Sequence, residues 1–332
     1  MSSFDENLVA SVNNATIQLN RYLPLLIYIS GIIGNLLNII VLQRPTLRSN
    51  PCALLFLFSS FSSLITIISG LTTRLTAGWT IDLSETIGWL CKVRIFILFV
   101  SRTMVVWLLV FAAIDRWLSA SIHTRRRNLS TLKTAQRSII VVTLFSLLLN
   151  CPLVYCYEAN LIGTPAKCFG YSTACRLYTD LSFTCGIIII PSLLMVLFGL
   201  LTINNIHQLR KRVNIRNTSI INPNTSINLY VQQQKKRTNR SLFRMLCVQV
   251  LFLIVSCTPY VIYRLYATCT PAISSKSALQ IAIEGLLFNL CTNLTYIAAA
   301  MPFYIYTLFG GTVFRNELLY VAKFIYQKFR CT

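Results

Sequence analysis

The sequence predicts an all-α membrane protein, a seven-transmembrane helix bundle followed by a short amphipathic C-terminal helix. Three observations predict it. Of 332 residues, 55% are apolar and 12% charged, with mean hydropathy +0.63, whereas soluble domains carry about 25% charged residues. Seven apolar stretches are each near or above the ~20 residues that cross ~30 Å of hydrocarbon as a helix. The 30 Lys and Arg, against 9 Asp and Glu, collect in alternate connections. The same composition, with 12 Gly and 10 Pro, excludes collagen-like, fibrous and disordered chains.

The stretches run over 22–42, 52–71, 93–118, 138–157, 177–203, 242–263 and 278–308. They are long blocks rather than ten-residue alternations, which favours helices over a β-barrel. The first 20 residues are polar, so no cleavable leader is expected. With the amino terminus outside, the inner connections hold Arg44 and Arg48, then Arg116, Arg125, Arg126, Arg127, Lys133 and Arg137, then a run from Arg210 to Arg244, then Arg315, Lys323, Lys328 and Arg330. They hold 21 of the 30 basic residues, opposed there by Asp115 and Glu317 alone. Asp5, Glu6, Asp82, Glu85, Glu158 and Asp180 fall outside. This is the positive-inside pattern. Topology and anionic inner-leaflet lipid account for the net charge of +21, so no nucleic-acid partner is expected. The expected organisation is an extracellular tail over 1–20, a membrane domain over 21–309, and an interfacial helix with a cytoplasmic tail over 310–332.

Two further features agree with this orientation. Asn14-Ala15-Thr16 is a glycosylation sequon on the outer side, whereas Asn128-Leu129-Ser130 would lie inside and stay silent. Of the 12 cysteines, most lie in spans, where a small apolar filler is the expected role. Cys91, Cys168, Cys175 and Cys269 lie outside, where oxidation is permitted, and four cysteines allow three full pairings.

Specific motifs then fall on this frame. Gly34-Asn35 lies in span one. Cys91 opens span three and Asp115-Arg116-Trp117 closes it, with 25 residues from Cys91 to Arg116. Pro191 lies in span five, Pro259-Tyr260 in span six, and Met301-Pro302-Phe303-Tyr304-Ile305-Tyr306 ends span seven. Over nearly its whole length the chain resembles a rhodopsin-like (class A) G-protein-coupled receptor. Among relatives it looks most like invertebrate peptide receptors of the FMRFamide-receptor-like kind. The resemblance implies a plasma-membrane receptor with its amino terminus outside, an extracellular ligand, a heterotrimeric G protein as partner, and no cofactor. Asp115, Arg116 and Trp117 then belong to G-protein coupling, and Cys257, Pro259, Tyr260, Pro302 and Tyr306 to the switch and hinge.

There are departures from the family pattern. All four tryptophans lie between positions 79 and 117, so Cys257 occupies the place of the family's span-six tryptophan. Ser63 stands where the sodium-site aspartate is usual. Met301 replaces the asparagine before Pro302, and Tyr306 comes one residue late. These changes weigh against a sodium-coordinated inactive state and the usual tryptophan switch. The start of span six, Thr238-Asn239-Arg240, has no acid to clamp Arg116, so a weak lock and basal activity are expected. The outer disulfide implied by the resemblance joins Cys91 to Cys168; Cys175 is the alternative partner, or could pair with Cys269.

The intramembrane charges are the most informative residues. A basic side chain at a helix centre costs about 2.5–3.5 kcal/mol on insertion scales, so such residues face the bundle interior or water. Arg94, Leu98 and Arg102, at i, i+4 and i+8, share one face of span three. By resemblance that face lines the ligand pocket, and Leu98 takes the place of the aspartate that binds amines, which argues against a monoamine. Arg74, Arg264 and Glu284 complete a mostly basic set. Such a cavity suits an anionic group, as in a small anionic ligand or a peptide's carboxylate, and Glu284 could take a cationic end. The bland alternative is that these charges pair with one another or snorkel outward.

Other functions have less support. A seven-helix transporter or channel is the main alternative, but no half-to-half repeat is evident. His occurs only at 123 and 207, both on the inner side, leaving no intramembrane dyad or metal cluster. No phosphate-binding glycine loop is present, so an enzyme is not expected. Span seven has no lysine for a retinal Schiff base. The loop over 204–239 should be helical at its ends and flexible in its middle. Phe314, Leu318, Leu319, Ala322 and Ile325 recur near helical spacing as an interfacial helix, beside the palmitoylation candidate Cys331.

Overall fold

A computed structural model describes residues 3–79, 83–161, 167–217, 226–270, 276–309 and 311–330. Among these residues, seven helices are long and apolar enough to cross a membrane, and each covers all or most of one expected span. They are α1 (Ser3–Leu42), α2 (Pro51–Trp79), α3 (Gly88–Ser119), α4 (Leu132–Asn150), α5 (contiguous stretches Thr173–Leu181, Ser182–Ile189 and Ile190–Asn217), α6 (Ser226–Cys269) and α7 (Ala278–Ala300). After them come α8 (Pro302–Phe309) and α9 (Gly311–Arg330). Asp82 and Cys331 lie outside the described residues, as do the side chains of Cys269 and of the basic residues over 210–240.

Local chemistry sets several helix starts. Thr131, Ser172 and Ser277 are N-caps whose hydroxyls accept from the backbone N–H of Thr134, Cys175 and Gln280, each at 3.2 Å. Each satisfies one of the orphan amides of a first turn. The apolar run over 278–308 is not one helix. It divides at Met301, because Pro302 has no N–H to return to the preceding turn. Residues before Arg21 continue α1 as helix, so α1 has 40 residues, about 60 Å at 1.5 Å per residue.

Packing is arranged for a lipid solvent. Leu148, Leu193, Leu251 and Ile262 are among the many bare apolar side chains on the outer surfaces of the helices. The interior carries fully buried polar residues, among them Asn35, Ser63, Asn150 and Asn293. Asn35 Nδ2 donates to the Ala299 carbonyl at 3.1 Å and ties α1 to α7. Thr66 Oγ1 donates to Ser101 Oγ at 2.8 Å, joining α2 to α3. Asn150 Nδ2 donates to Thr103 Oγ1 at 3.1 Å, joining α4 to α3. With no hydrophobic drive between helices in lipid, polar links and small residues at close approaches hold such bundles together. Gly70 makes one such approach: a Cβ there would strike the Tyr296 ring.

α3 is the central strut, packed against α2, α4, α5 and α6. Opposite it, the Ser182–Ile189 stretch of α5 is a π-helix, a wide turn that occurs mostly at functional sites. Trp107 Nε1 of α3 donates to the Gly186 carbonyl within that stretch at 3.0 Å.

Candidate functional site: a cavity beneath the hairpin and a buried charge pair at the opposite end

The end of the bundle that the charge pattern predicts to be outer is roofed by a two-stranded antiparallel hairpin, β1 (Tyr157–Glu158) with β2 (Phe169–Gly170). The Cys91–Cys168 disulfide pins β2 to the top of α3. A second disulfide joins Cys156 to Cys175 and ties the end of α4's connection to the start of α5. This corrects two expectations. Cys175 pairs neither with Cys91 nor with Cys269, and Cys156 is not an apolar filler, because the turn Leu153–Cys156 sets it beside the first turn of α5. Below the hairpin an aromatic column runs inward: Phe169 to Tyr157 (6.4 Å between centroids), Tyr157 to Phe99 (6.5 Å), Phe99 to Phe183 (6.2 Å) and Phe183 to Tyr260 (4.9 Å).

The six expected pocket residues divide into two kinds. Arg264 of α6 is buried and ion-paired with Asp180 of α5, with Phe169 and Tyr260 rings 5.4 and 5.9 Å from its guanidinium carbon. Glu284 of α7 takes the Lys276 ammonium at 2.7 Å and also accepts from Tyr266 and Gln280. Both therefore have counter-charges on the chain. Arg74, Arg94 and Arg102 differ, since their side-chain hydrogen bonds go to neutral groups. Arg74 Nη1 donates to Asn289 Oδ1 at 3.0 Å, Arg94 to Thr73 Oγ1, and Arg102 Nη2 to Thr295 Oγ1 at 3.0 Å. Arg74 is within Coulombic reach of both other arginines. Arg102 also lies over the Tyr296 ring at 4.4 Å, the ring that Gly70 leaves room for. Leu98 is buried on the same helix.

Arg102 lines a small interior cavity together with Thr66, Phe183, Cys257 and Thr295. The cavity thus draws on α2, α3, the π stretch of α5, α6 and α7. It brings together Arg102 and Cys257, which sequence reasoning placed in separate roles. Pro259 and Tyr260 lie two and three residues after Cys257 on α6, and Pro259 is inside the helix.

At the opposite end, predicted to be inner, Asp115 and Arg116 are both buried and paired at 2.6 Å. Arg116 Nη2 also donates to Asn50 Oδ1, ahead of α2, at 2.9 Å. Ser130 Oγ donates to the other oxygen of Asp115, Oδ1, at 2.6 Å. Trp117 packs on Phe198 of α5 at 5.4 Å and carries the Arg126 guanidinium over its face at 5.5 Å. Tyr306 is fully buried. Its hydroxyl donates to Gln249 of α6 at 2.6 Å, and its ring meets Phe56 in a tilted contact at 5.2 Å and Phe314 edge-on at 6.0 Å. Glu317 of α9 accepts from Arg44 at 3.2 Å and Thr46 at 2.7 Å, anchoring the C-terminal helix to the first inner connection. Sequence reasoning did not find Asn50 or Ser130. Each lies far along the chain or in a different loop from its partner, and neither carries a charge to draw attention.

The family model for the 7 transmembrane receptor (rhodopsin family) matches residues 34–307. The chain belongs to that family: it is a multi-pass membrane receptor, and membership implies an extracellular ligand and G-protein coupling. No curated protein matches the chain.

Proposed function

We propose that the protein is a plasma-membrane receptor for an extracellular peptide bearing an anionic group, and that it activates a heterotrimeric G protein. The observation that carries the ligand class is the Arg74–Arg94–Arg102 set, three guanidinium groups on the packed helices α2 and α3 whose hydrogen bonds go to neutral partners. A carboxylate entering beneath the hairpin would meet them in a low dielectric, where charge-assisted bonds are strongest. Arg264 and Glu284 contribute to the shape of the mouth rather than to its free charge. The resemblance to FMRFamide-receptor-like proteins supports a neuropeptide within this class.

In this reading the amino terminus is outside, Asn14 is glycosylated, and residues 1–20, 21–309 and 310–332 form the outer tail, the receptor domain and the inner helix with its tail. Asn14 is exposed, which suits glycosylation. Ligand binding among α3, α5, α6 and α7 favours a conformer in which the inner end of α6 moves outward. Pro259 is the hinge, because it removes a helical hydrogen bond. Cys257 and Tyr260 flank it, and Pro302 and Tyr306 form the matching break beneath α7. The movement separates Tyr306 from Gln249 and opens the surface around Asp115, Arg116 and Trp117 to the G protein.

The test is a secreted-peptide library applied to cells expressing the chain, with a second-messenger readout. For an acidic hit, Arg102→Gln is expected to weaken potency about 30-fold or more, since removing one partner of a buried charge pair costs about 2–5 kcal/mol. Arg116→Ala is expected to cut nucleotide exchange on the G protein at least about tenfold while leaving agonist affinity intact. Equal loss of binding at normal surface amount would remove Arg116 from the coupling role. A hit with no acidic group, unaffected by Arg102→Gln, would overturn the ligand class.

A further inference from the structure

The connection between α3 and α4 is built around a serine that the receptor reading leaves unused. The chain makes one helical turn, Thr124–Arg127, then a tight turn into α4. Arg125, Arg126 and Arg127 are all exposed. Arg126 lies over Trp117, and Arg125 and Arg127 stand five and three residues before Ser130. Leu129 and Leu132, on either side of Ser130, are exposed as well. Ser130 itself is half-buried, and its hydroxyl donates to Asp115 Oδ1. One carboxylate therefore holds Arg116 with one oxygen and this connection with the other.

We propose that Ser130 is a phosphorylation site for an arginine-directed protein kinase, and that phosphate there releases the α3–α4 connection from Asp115. The assignment rests on the reading that this connection faces the cytoplasm, where ATP and such kinases are found. The kinase transfers the γ-phosphoryl group of ATP: the Ser130 Oγ–P bond forms, the bond from that phosphorus to the ADP oxygen breaks, and the hydroxyl proton passes to the kinase's base. The product has no Oγ hydrogen to donate to Asp115, and its near-dianionic phosphate repels the carboxylate. Ser130 directly precedes Thr131, the N-cap of α4, and the first-turn amides of that 19-residue helix favour negative charge at this end. The phosphate thus has a place to go when it leaves Asp115. Loss of the tether frees the inner end of α3, so basal coupling rises.

The test uses the full chain in lipid nanodiscs, incubated with Mg-ATP and a kinase that requires arginines three and five residues before the serine. Mass spectrometry of the tryptic peptide that ends at Lys133 (128–133, or 127–133 in Arg127→Gln, which loses the cleavage site before Asn128) is expected to show one phosphate, lost in Ser130→Ala and strongly reduced in Arg127→Gln, which keeps the serine. No phosphate on that peptide would overturn the assignment. The same peptide, taken from protein made in eukaryotic cells, reports the orientation separately, since Asn128-Leu129-Ser130 is a sequon. A glycan on Asn128 would place the connection outside and overturn the orientation. A bare peptide that the kinase cannot label overturns only the site. At matched surface amounts, Ser130→Asp is expected to raise basal nucleotide exchange several-fold over wild type, and Ser130→Ala by less. Exchange at or below wild type in Ser130→Asp would overturn the release mechanism.

Discussion

Asp180→Ala is expected to destabilise the receptor by about 3–5 kcal/mol, the cost of leaving a buried charge without its partner. Asp180 is 5% exposed and Arg264 7% exposed, and the pair joins the outer ends of α5 and α6. Without the carboxylate, Arg264 keeps its aromatic neighbours Phe169 and Tyr260. Cation–π contacts return only about 0.5–2 kcal/mol, so they do not restore the balance. The diagnostic control is the double variant Asp180→Ala/Arg264→Leu, which removes both charges. It should recover most of the loss, because replacing a buried ion pair by apolar groups is often close to neutral. Thermal unfolding of purified protein measures both. A single variant as stable as wild type would mean that water reaches Arg264 in the folded state.

Cys91→Ser should be at least as damaging. The Cys91–Cys168 bridge closes a loop with a sequence separation of 77, and the chain-entropy relation assigns such a closure about 4–5 kcal/mol. The Cys156–Cys175 bridge spans only 19 residues, for which the same relation gives about 3 kcal/mol. Cys156→Ser should therefore lower the unfolding midpoint less than Cys91→Ser. The first bridge also sets the hairpin over the aromatic column, so its loss should weaken ligand binding as well. The second acts on the α4–α5 corner, away from the arginine set. A larger effect from Cys156→Ser would show that the corner, not the roof, dominates the outer end.

The spans could be read from the sequence because a lipid-facing helix needs an unbroken apolar run, and each of the seven runs holds one such helix. Interruptions within runs were harder to see. The π stretch over Ser182–Ile189 lies in an apolar segment with no period that distinguishes it from ordinary helix. The division at Met301 needed the consequence of Pro302 to be carried through to the helix boundary. Charges were visible individually but not as pairs. Asp180 and Arg264 are 84 residues apart, so no local pattern marks them as partners, and Arg264 was grouped with Arg102 in one basic set. Cys156 was hidden for the same reason: it closes a span, where a cysteine ordinarily fills space, and only the turn at Leu153–Cys156 carries it to Cys175. The hydrogen-bonded cluster around Asp115 and Arg116 was half legible. Asp115-Arg116 stood out as a motif, whereas Asn50 and Ser130, which complete it, are small neutral residues in loops.

Sidedness is the claim on which ligand entry, coupling and the Ser130 assignment all depend. It is tested most directly by antibody labelling of intact cells that express the chain with one epitope at the amino terminus and another inserted between residues 218 and 225. The account requires the amino-terminal epitope to label without permeabilisation and the inserted one to label only after it. Labelling of the inserted epitope on intact cells would put the cationic face outside and contradict the account.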